Sequence, residues 1–202
     1  MKAFLYSHYL EQKHFEAFKE MLGVQKVSKA LFIIAAAVPY GLAPRPTWLE
    51  ESLRDIKQFT ESVDEMSLEE TGNLEDLNQY GFVFVSGGNV FYLAYRLAET
   101  GFDKLLKKYV SNGGIYSGSS AGAVVLMDDI KYFAPVDDPT KAPKVYPGLG
   151  MVDFAIIPHA DNTKYAEGMN AVADKYRAEE KEVVYINDNQ VLIINGSNRK
   201  VF

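Results

Sequence analysis

Residues 115–123 read Ile-Tyr-Ser-Gly-Ser-Ser-Ala-Gly-Ala, and they decide the fold. A short apolar run, Gly114 to Ser117, reads as a strand. A small-residue turn follows at Gly118 to Gly122, and Ala121 to Met127 reads as the start of a helix. Upstream, Phe82 to Val85 (Phe-Val-Phe-Val) has the continuous apolar character of a strand buried on both faces. It leads through Ser86-Gly87-Gly88-Asn89 into a helical pattern, Val90 to Glu99, and a second helix, Asp103 to Ser111. Further out, Lys2 to Tyr6 and Ala30 to Ala37 read as strands, His8 to Leu22 as a helix and Ser62 to Leu68 as another strand. Thr47 reads as the N-cap of a helix from Trp48 to Phe59, with Glu50 completing a capping box, and Asn73 to Gln79 as a short helix.

Residues 128–150 break the pattern with four prolines and little periodicity, an irregular excursion with one or two short strands. Order returns with a strand at Val152 to Ile157 and a helix at Thr163 to Glu179. Closing strands follow at Val183 to Ile186, Val191 to Ile194 and Lys200 to Phe202, the last two turning at Asn195-Gly196. Strands alternating with helices imply an α/β fold in three layers, a mostly parallel sheet with helices on both faces and an antiparallel hairpin at its end. No repeat or linker divides the chain, so residues 1–202 are expected to form one domain.

Composition narrows the function. The chain has 202 residues, 48% of them apolar, 24% charged residues and a formal net charge of -6. This mild acidity does not suit nucleic acid as main partner. There is no cysteine, which excludes a thiolate nucleophile, a disulfide framework and a Cys-based zinc site. The N-terminus lacks the apolar run of a signal peptide, and the longest apolar stretch, Ala30 to Pro39, is too short for a bilayer. The expectation is a cytoplasmic protein, monomer or homodimer, with no membrane partner, no cofactor and no metal.

Gly118 to Gly122 fits G-x-S-x-G between a strand and a helix. In that arrangement the central serine, Ser120, stands on a tight turn with its hydroxyl exposed. Ser119 and Ser117 compete for the role, but the spacing centres on Ser120. Such a serine needs a base, an orienting acid and an oxyanion hole. The histidines are His8, His14 and His159. His159 follows the apolar strand 152–157, and ligands of open α/β sheets bind at the C-terminal ends of strands. His159 and Ser120 are therefore expected on one rim. Asp188, after the next strand, would share that rim. Asp161, Asp137 and Asp138 are rival acids. The backbone amides of Gly87-Gly88-Asn89 supply half of an oxyanion hole and Ala121 the other half. No Walker-type Gly-Lys-Ser/Thr follows the glycines, so a nucleotide site is the weaker reading.

Three blocks carry a resemblance: Val85 to Leu93 (V-S-G-G-N-V-F-Y-L), Gly118 to Ala123 (G-S-S-A-G-A), and Gly148 onward (G-L-G-M-V-D-F) to Pro158-His159. In order and spacing they resemble the serine peptidase family that includes peptidase E and cyanophycinase. The resemblance implies a fold similar to class I glutamine amidotransferase domains, with serine in place of their cysteine. It implies Ser120 as nucleophile, His159 as base, the Gly88 and Ala121 amides as oxyanion donors, and Asp188 at a position where an acid, often Glu, completes the triad. The order Ser, His, Asp also differs from the Ser, acid, His of α/β-hydrolases. The chain departs from the aspartyl dipeptidases after the histidine. Ala160-Asp161-Asn162-Thr163 holds no arginine, and Lys164, Lys175 and Arg177 match no expected position. The implied activity is hydrolysis of short peptides by a dipeptidase-like enzyme. A non-peptidic esterase or amidase, and a non-catalytic binding module on the same scaffold, are the alternatives.

Overall fold

The computed structural model describes residues 1–69 and 76–202. β1 (Lys2–Tyr6) lies inside a seven-stranded sheet. Its neighbours explain its composition: Ala3 and Leu5 face one buried layer, Phe4 and Tyr6 the other. Residues alternate across a strand, so a strand apolar at every position must be covered twice. α1 (Gln12–Leu22) and α2 (Thr47–Ile56) cover the Phe4 face. α3 (Val90–Glu99), α4 (Phe102–Ser111) and α6 (Ala166–Ala178) cover the other.

β2 (Val27–Ile33), β3 (Thr60–Met66), β4 (Phe82–Val85) and β5 (Ile115–Ser119) run parallel to β1. β8 (Val191–Asn195) pairs antiparallel with β1, and β9 (Asn198–Val201) with β8. The order across the sheet is β3-β2-β4-β5-β1-β8-β9. This is the three-layer α/β arrangement with a closing hairpin, turning where Gly196 has φ 64°. β4 and β5 are central, so the turns that leave them open onto the middle of the sheet's C-terminal edge.

Several elements differ from the sequence expectation. The apolar run Ala30 to Ala37 is not all strand. β2 stops at Ile33, and Ala35–Tyr40 form a 3-10 turn, because the Ala36 carbonyl is needed to accept the Asn89 amide at 2.8 Å. α1 begins at Gln12 rather than His8, where the Glu11 amide donates to His14 Nδ1 at 2.9 Å. Thr47 is not the N-cap of α2. The Pro46 carbonyl accepts from Leu49 at 3.0 Å, which makes Thr47 the first helical residue. That helix ends at Ile56, its last turn tightened when Phe59 bonds back to the Ile56 carbonyl at 2.9 Å. The helix expected over Asn73 to Gln79 falls partly outside the described residues, and 76–79 hold only a turn.

α5 spans only Ala121–Val124. The carbonyls beyond it are taken by the chain returning from the excursion: Leu149 donates to Val125 at 2.7 Å and Met151 to Leu126 at 2.8 Å. The excursion contains two 3-10 turns, Lys131–Phe133 and Pro139–Lys141, and no strand. α6 starts at Ala166 rather than Thr163, because Asn162 to Tyr165 form a separate turn.

The largest difference concerns the strands around His159 and Asp188. β6 (Ala155–Ile157) and β7 (Val183–Tyr185) do not join the main sheet. They pair parallel with one another as a separate two-stranded sheet. Among the described residues no helix is long and apolar enough to cross a membrane.

Candidate active site

Ser120 follows β5 directly. Its amide donates to the Tyr6 carbonyl at 2.9 Å, which pins the turn to the end of β1. The backbone at Ser120 has φ 47° and ψ -110°, a region that side-chain-bearing residues rarely occupy and that costs on the order of 1–3 kcal/mol. The surrounding glycines make the turn sterically feasible. A Cβ on Gly122 would lie 2.1 Å from the Val85 carbonyl oxygen, and one on Gly88 2.1 Å from that of Ala36. Only glycine lets the turns that follow β2, β4 and β5 approach this closely.

His159 Nε2 lies 2.9 Å from Ser120 Oγ, and His159 Nδ1 lies 2.5 Å from Asp188 Oδ1. A carboxylate only accepts, so Nδ1 carries the hydrogen and Nε2 is left to accept from the Ser120 hydroxyl. Asn162 Nδ2 donates to the second Asp188 oxygen at 2.7 Å. Burial pushes the His159 imidazole below its ordinary value, and nearby His8 pushes the same way; Asp188 and Asp161 oppose the shift. Neutral imidazole is the form in which Nε2 accepts a proton.

The structure thus brings Ser120, His159 and Asp188 together and distributes the rival acids elsewhere. Asp161 Oδ1 accepts from the Asp188 amide at 2.8 Å and so fixes the loop rather than the imidazole. Asp138 accepts from Thr140 in its own turn. Asp137 accepts from the Val90 amide at 2.8 Å. Of the rival serines, Ser119 Oγ accepts from the Gly87 amide at 3.0 Å, and Ser117 Oγ donates to the Phe4 carbonyl at 3.0 Å. Neither points at His159.

The four glycine-turn positions separate in the same way. The Gly87 amide is occupied by Ser119. Asn89 caps α3 through Oδ1, accepting from Tyr92 at 2.8 Å, and its Nδ2 donates to the Asp138 carbonyl at 2.9 Å. The Gly88 and Ala121 amides donate to no acceptor among the described residues. Both residues line a cavity of about 520 Å³, together with Ser120 and His159. Aromatic and apolar side chains form much of its wall, including Tyr40, Trp48, Phe133 and Tyr165.

Two contributors were not visible in the sequence. Ser7 Oγ accepts from the His159 amide at 3.0 Å and donates to the Ile186 carbonyl at 2.7 Å. This one hydroxyl ties the end of β1 to both loops of the small sheet. The Tyr165 ring lies 5.1 Å from the His159 ring, tilted by 37°. The only available sequence signal for Ser7 was its place at the C-terminal end of β1. Among the described residues, no group of three or more His, Asp or Glu side chains converges as a metal site would require.

These features agree with the comparisons to known proteins. The model of peptidase family S51 matches residues 5–202. The uncharacterized peptidase Lmo0363 of Listeria monocytogenes is 31% identical over 150 residues, covering 73% of this chain and 72% of that protein. Peptidase E of Streptomyces coelicolor is 34% identical over 128 residues, 61% of this chain and 50% of that protein. A crystal structure from Listeria monocytogenes EGD-e, provisionally described as a peptidase E, has a TM-score of 0.81 at 25% identity, over 100% of this chain and 97% of that one. With the family match running over nearly its whole length, the protein is a peptidase of family S51.

Proposed function

We propose that this peptidase is of the serine type and hydrolyses short peptides through an acyl-enzyme. The observation that carries the proposal is the unbroken hydrogen-bonded series Asp188–His159–Ser120 at the mouth of two glycine turns. Ser120 Oγ attacks the scissile carbonyl carbon while its proton passes to His159 Nε2. The carbonyl oxygen becomes an oxyanion, which accepts hydrogen bonds donated by the Gly88 and Ala121 amides. Collapse breaks the C–N bond, and the imidazolium returns the proton to the leaving amine. Water then attacks the acyl-Ser120 ester by the same route, releasing the carboxylic acid and restoring the hydroxyl. Asp188 holds the required tautomer and stabilises the imidazolium. Asn162 fixes the carboxylate.

A cavity of about 520 Å³ has the size of a small-molecule site, which supports short peptides as substrates. We further infer that the 202 residues act as one domain and work in the cytoplasm, where the lack of cysteine is in keeping with a reducing compartment. The test is covalent labelling of the purified protein with a fluorophosphonate, alongside turnover of a dipeptide library. Labelling and hydrolysis, both lost in Ser120→Ala, are expected. A wild-type protein that neither labels nor hydrolyses would make it a binding module. Hydrolysis of esters but of no peptide would place its activity outside the proposal.

A further inference from the structure

The cavity beside Ser120 has an apolar wall that the catalytic series leaves unused. α5 contributes Val124, whose amide donates to the Ser120 carbonyl at 3.0 Å, one turn back. The excursion contributes Phe133 and Val136, and α6 contributes Met169. Val124 and Phe133 are 2% exposed and Met169 5%, while Val136 is half-buried. The pieces fit closely. A Cβ on Gly168 of α6 would lie 2.5 Å from Val136 Cγ1, and the Phe133 ring is 6.3 Å from the Tyr176 ring of the same helix. The Met169 amide donates to the Tyr165 carbonyl at 2.9 Å, so Met169 stands one turn beyond Tyr165 on the same face. The Tyr165 ring lies beside His159. The wall therefore begins at the imidazole and runs inward.

This wall offers nothing to an acidic side chain. The lysine of the cavity is Lys164, and among the described residues no arginine lines it. Lys164 and His8 are exposed, and both stand at the imidazole. The His8 ring is 6.4 Å from the His159 ring, and Lys164 Nζ is 4.8 Å from the Tyr165 ring. The carboxyl group of the wall is Asp137, next in sequence to Val136. Burial raises it to about 7, and a second carboxylate beside it would be repelled. An apolar side chain, by contrast, leaves water for a surface that needs no hydrogen bonds.

The halves of the substrate can be assigned from the chemistry. The leaving amine departs with the proton from His159, so the leaving half lies on the imidazole side, where His8 and Lys164 face solvent. The acyl half stays bonded to Ser120 Oγ and lies toward the enclosed part of the cavity. We infer that Val124, Phe133, Val136 and Met169 form the pocket for an apolar side chain on the acyl half, the residue just N-terminal to the scissile bond. The inference rests on the serine-peptidase reading above and names the substrate class of that site.

The test compares kcat/KM for the dipeptides Leu-Ala, Ala-Ala, Asp-Ala and Ala-Leu, with fluorophosphonate labelling of the same protein run alongside. Leu-Ala is expected to exceed Ala-Ala by about tenfold to a hundredfold, and Asp-Ala to fall at or below Ala-Ala. Ala-Leu, which carries the larger side chain on the leaving half, is expected to gain far less than Leu-Ala. In Met169→Ala the Leu-Ala to Ala-Ala ratio is expected to fall severalfold. Should that variant not fold, Val136→Thr, which sets a hydroxyl in the pocket, is expected to lower the same ratio. Asp-Ala as the best substrate, or equal rates for Leu-Ala and Ala-Ala, would overturn the inference. So would an Ala-Leu gain that matches that of Leu-Ala, or a ratio unchanged in the variant. Absence of labelling sinks the serine reading instead. Labelling without hydrolysis of any dipeptide removes the peptide substrates, and the inference falls with them.

Discussion

The Ser7 hydroxyl and the His159 amide are joined by a 3.0 Å hydrogen bond across 152 positions of sequence. The same hydroxyl donates to Ile186 at 2.7 Å, so the loops bearing the imidazole and the carboxylate are moored to the strand that also holds the Ser120 amide. Ser7→Ala leaves a buried amide and carbonyl without their shared partner, at about 1–3 kcal/mol. The expected outcome is a lower melting temperature together with a reduced kcat. Unchanged kcat would mean that the two loops are held by other contacts.

Ser120→Ala is expected to lower kcat at least about a thousandfold and to abolish fluorophosphonate labelling. Its fold, checked by circular dichroism, should be retained. Ser119→Ala, by contrast, removes an acceptor for the Gly87 amide and should leave labelling of residue 120 intact.

Asp188→Asn keeps the shape of the site but removes the charge that selects the Nδ1–H tautomer. A loss in kcat of on the order of a hundredfold to ten-thousandfold is expected. Asn162→Ala removes one hydrogen bond to that carboxylate and should cost about tenfold. Asp161→Asn can still accept from the Asp188 amide and should cost less than either. An Asp161 effect as large as that of Asp188 would reassign the orienting acid.

The acid limb of kcat/KM follows the imidazole. Its basic form is neutral, so activity rises as pH passes upward through the pKa of His159. Burial and His8 lower that pKa, and Asp188 and Asp161 act against them. The limb is therefore expected below the ordinary value of 6.5. His8→Ala removes one downward influence and should move the limb toward higher pH. A limb above the ordinary value in the wild type would contradict the balance described here.

Gly88→Ala places a methyl group 2.1 Å from the Ala36 carbonyl at a position where φ is 131°. Overpacking of this kind costs about 1–3 kcal/mol, and the backbone must shift at a proposed oxyanion donor. A fall in both melting temperature and kcat is expected. Retention of full activity would remove Gly88 from the oxyanion role.

The main sheet was legible because its strands are apolar on both faces and separated by amphipathic helices. Phe82 to Val85 and the turn at Asn195-Gly196 could hardly be read otherwise. Ser120 was marked by spacing, and His159 by a shortage of histidines. Asp188 could not be told from Asp137, Asp138 or Asp161, because acids in loops look alike until the chain is folded. The pairing of β6 with β7 was hidden for a different reason. Three-residue strands carry too little periodicity to say which sheet they join. Ser7 lay beyond local reasoning, since its partners stand more than 150 positions away.

The small sheet of β6 and β7 has a consequence for how catalysis could be silenced. The His159 imidazole and the Asp188 carboxylate follow the strands of that piece, while the proposed nucleophile and the glycine amides belong to the large one. A molecule wedged along the seam would separate proton acceptor from hydroxyl by an ångström or two and leave both halves internally undisturbed. Such a blocker need not resemble a peptide, nor compete for the space that a peptide fills.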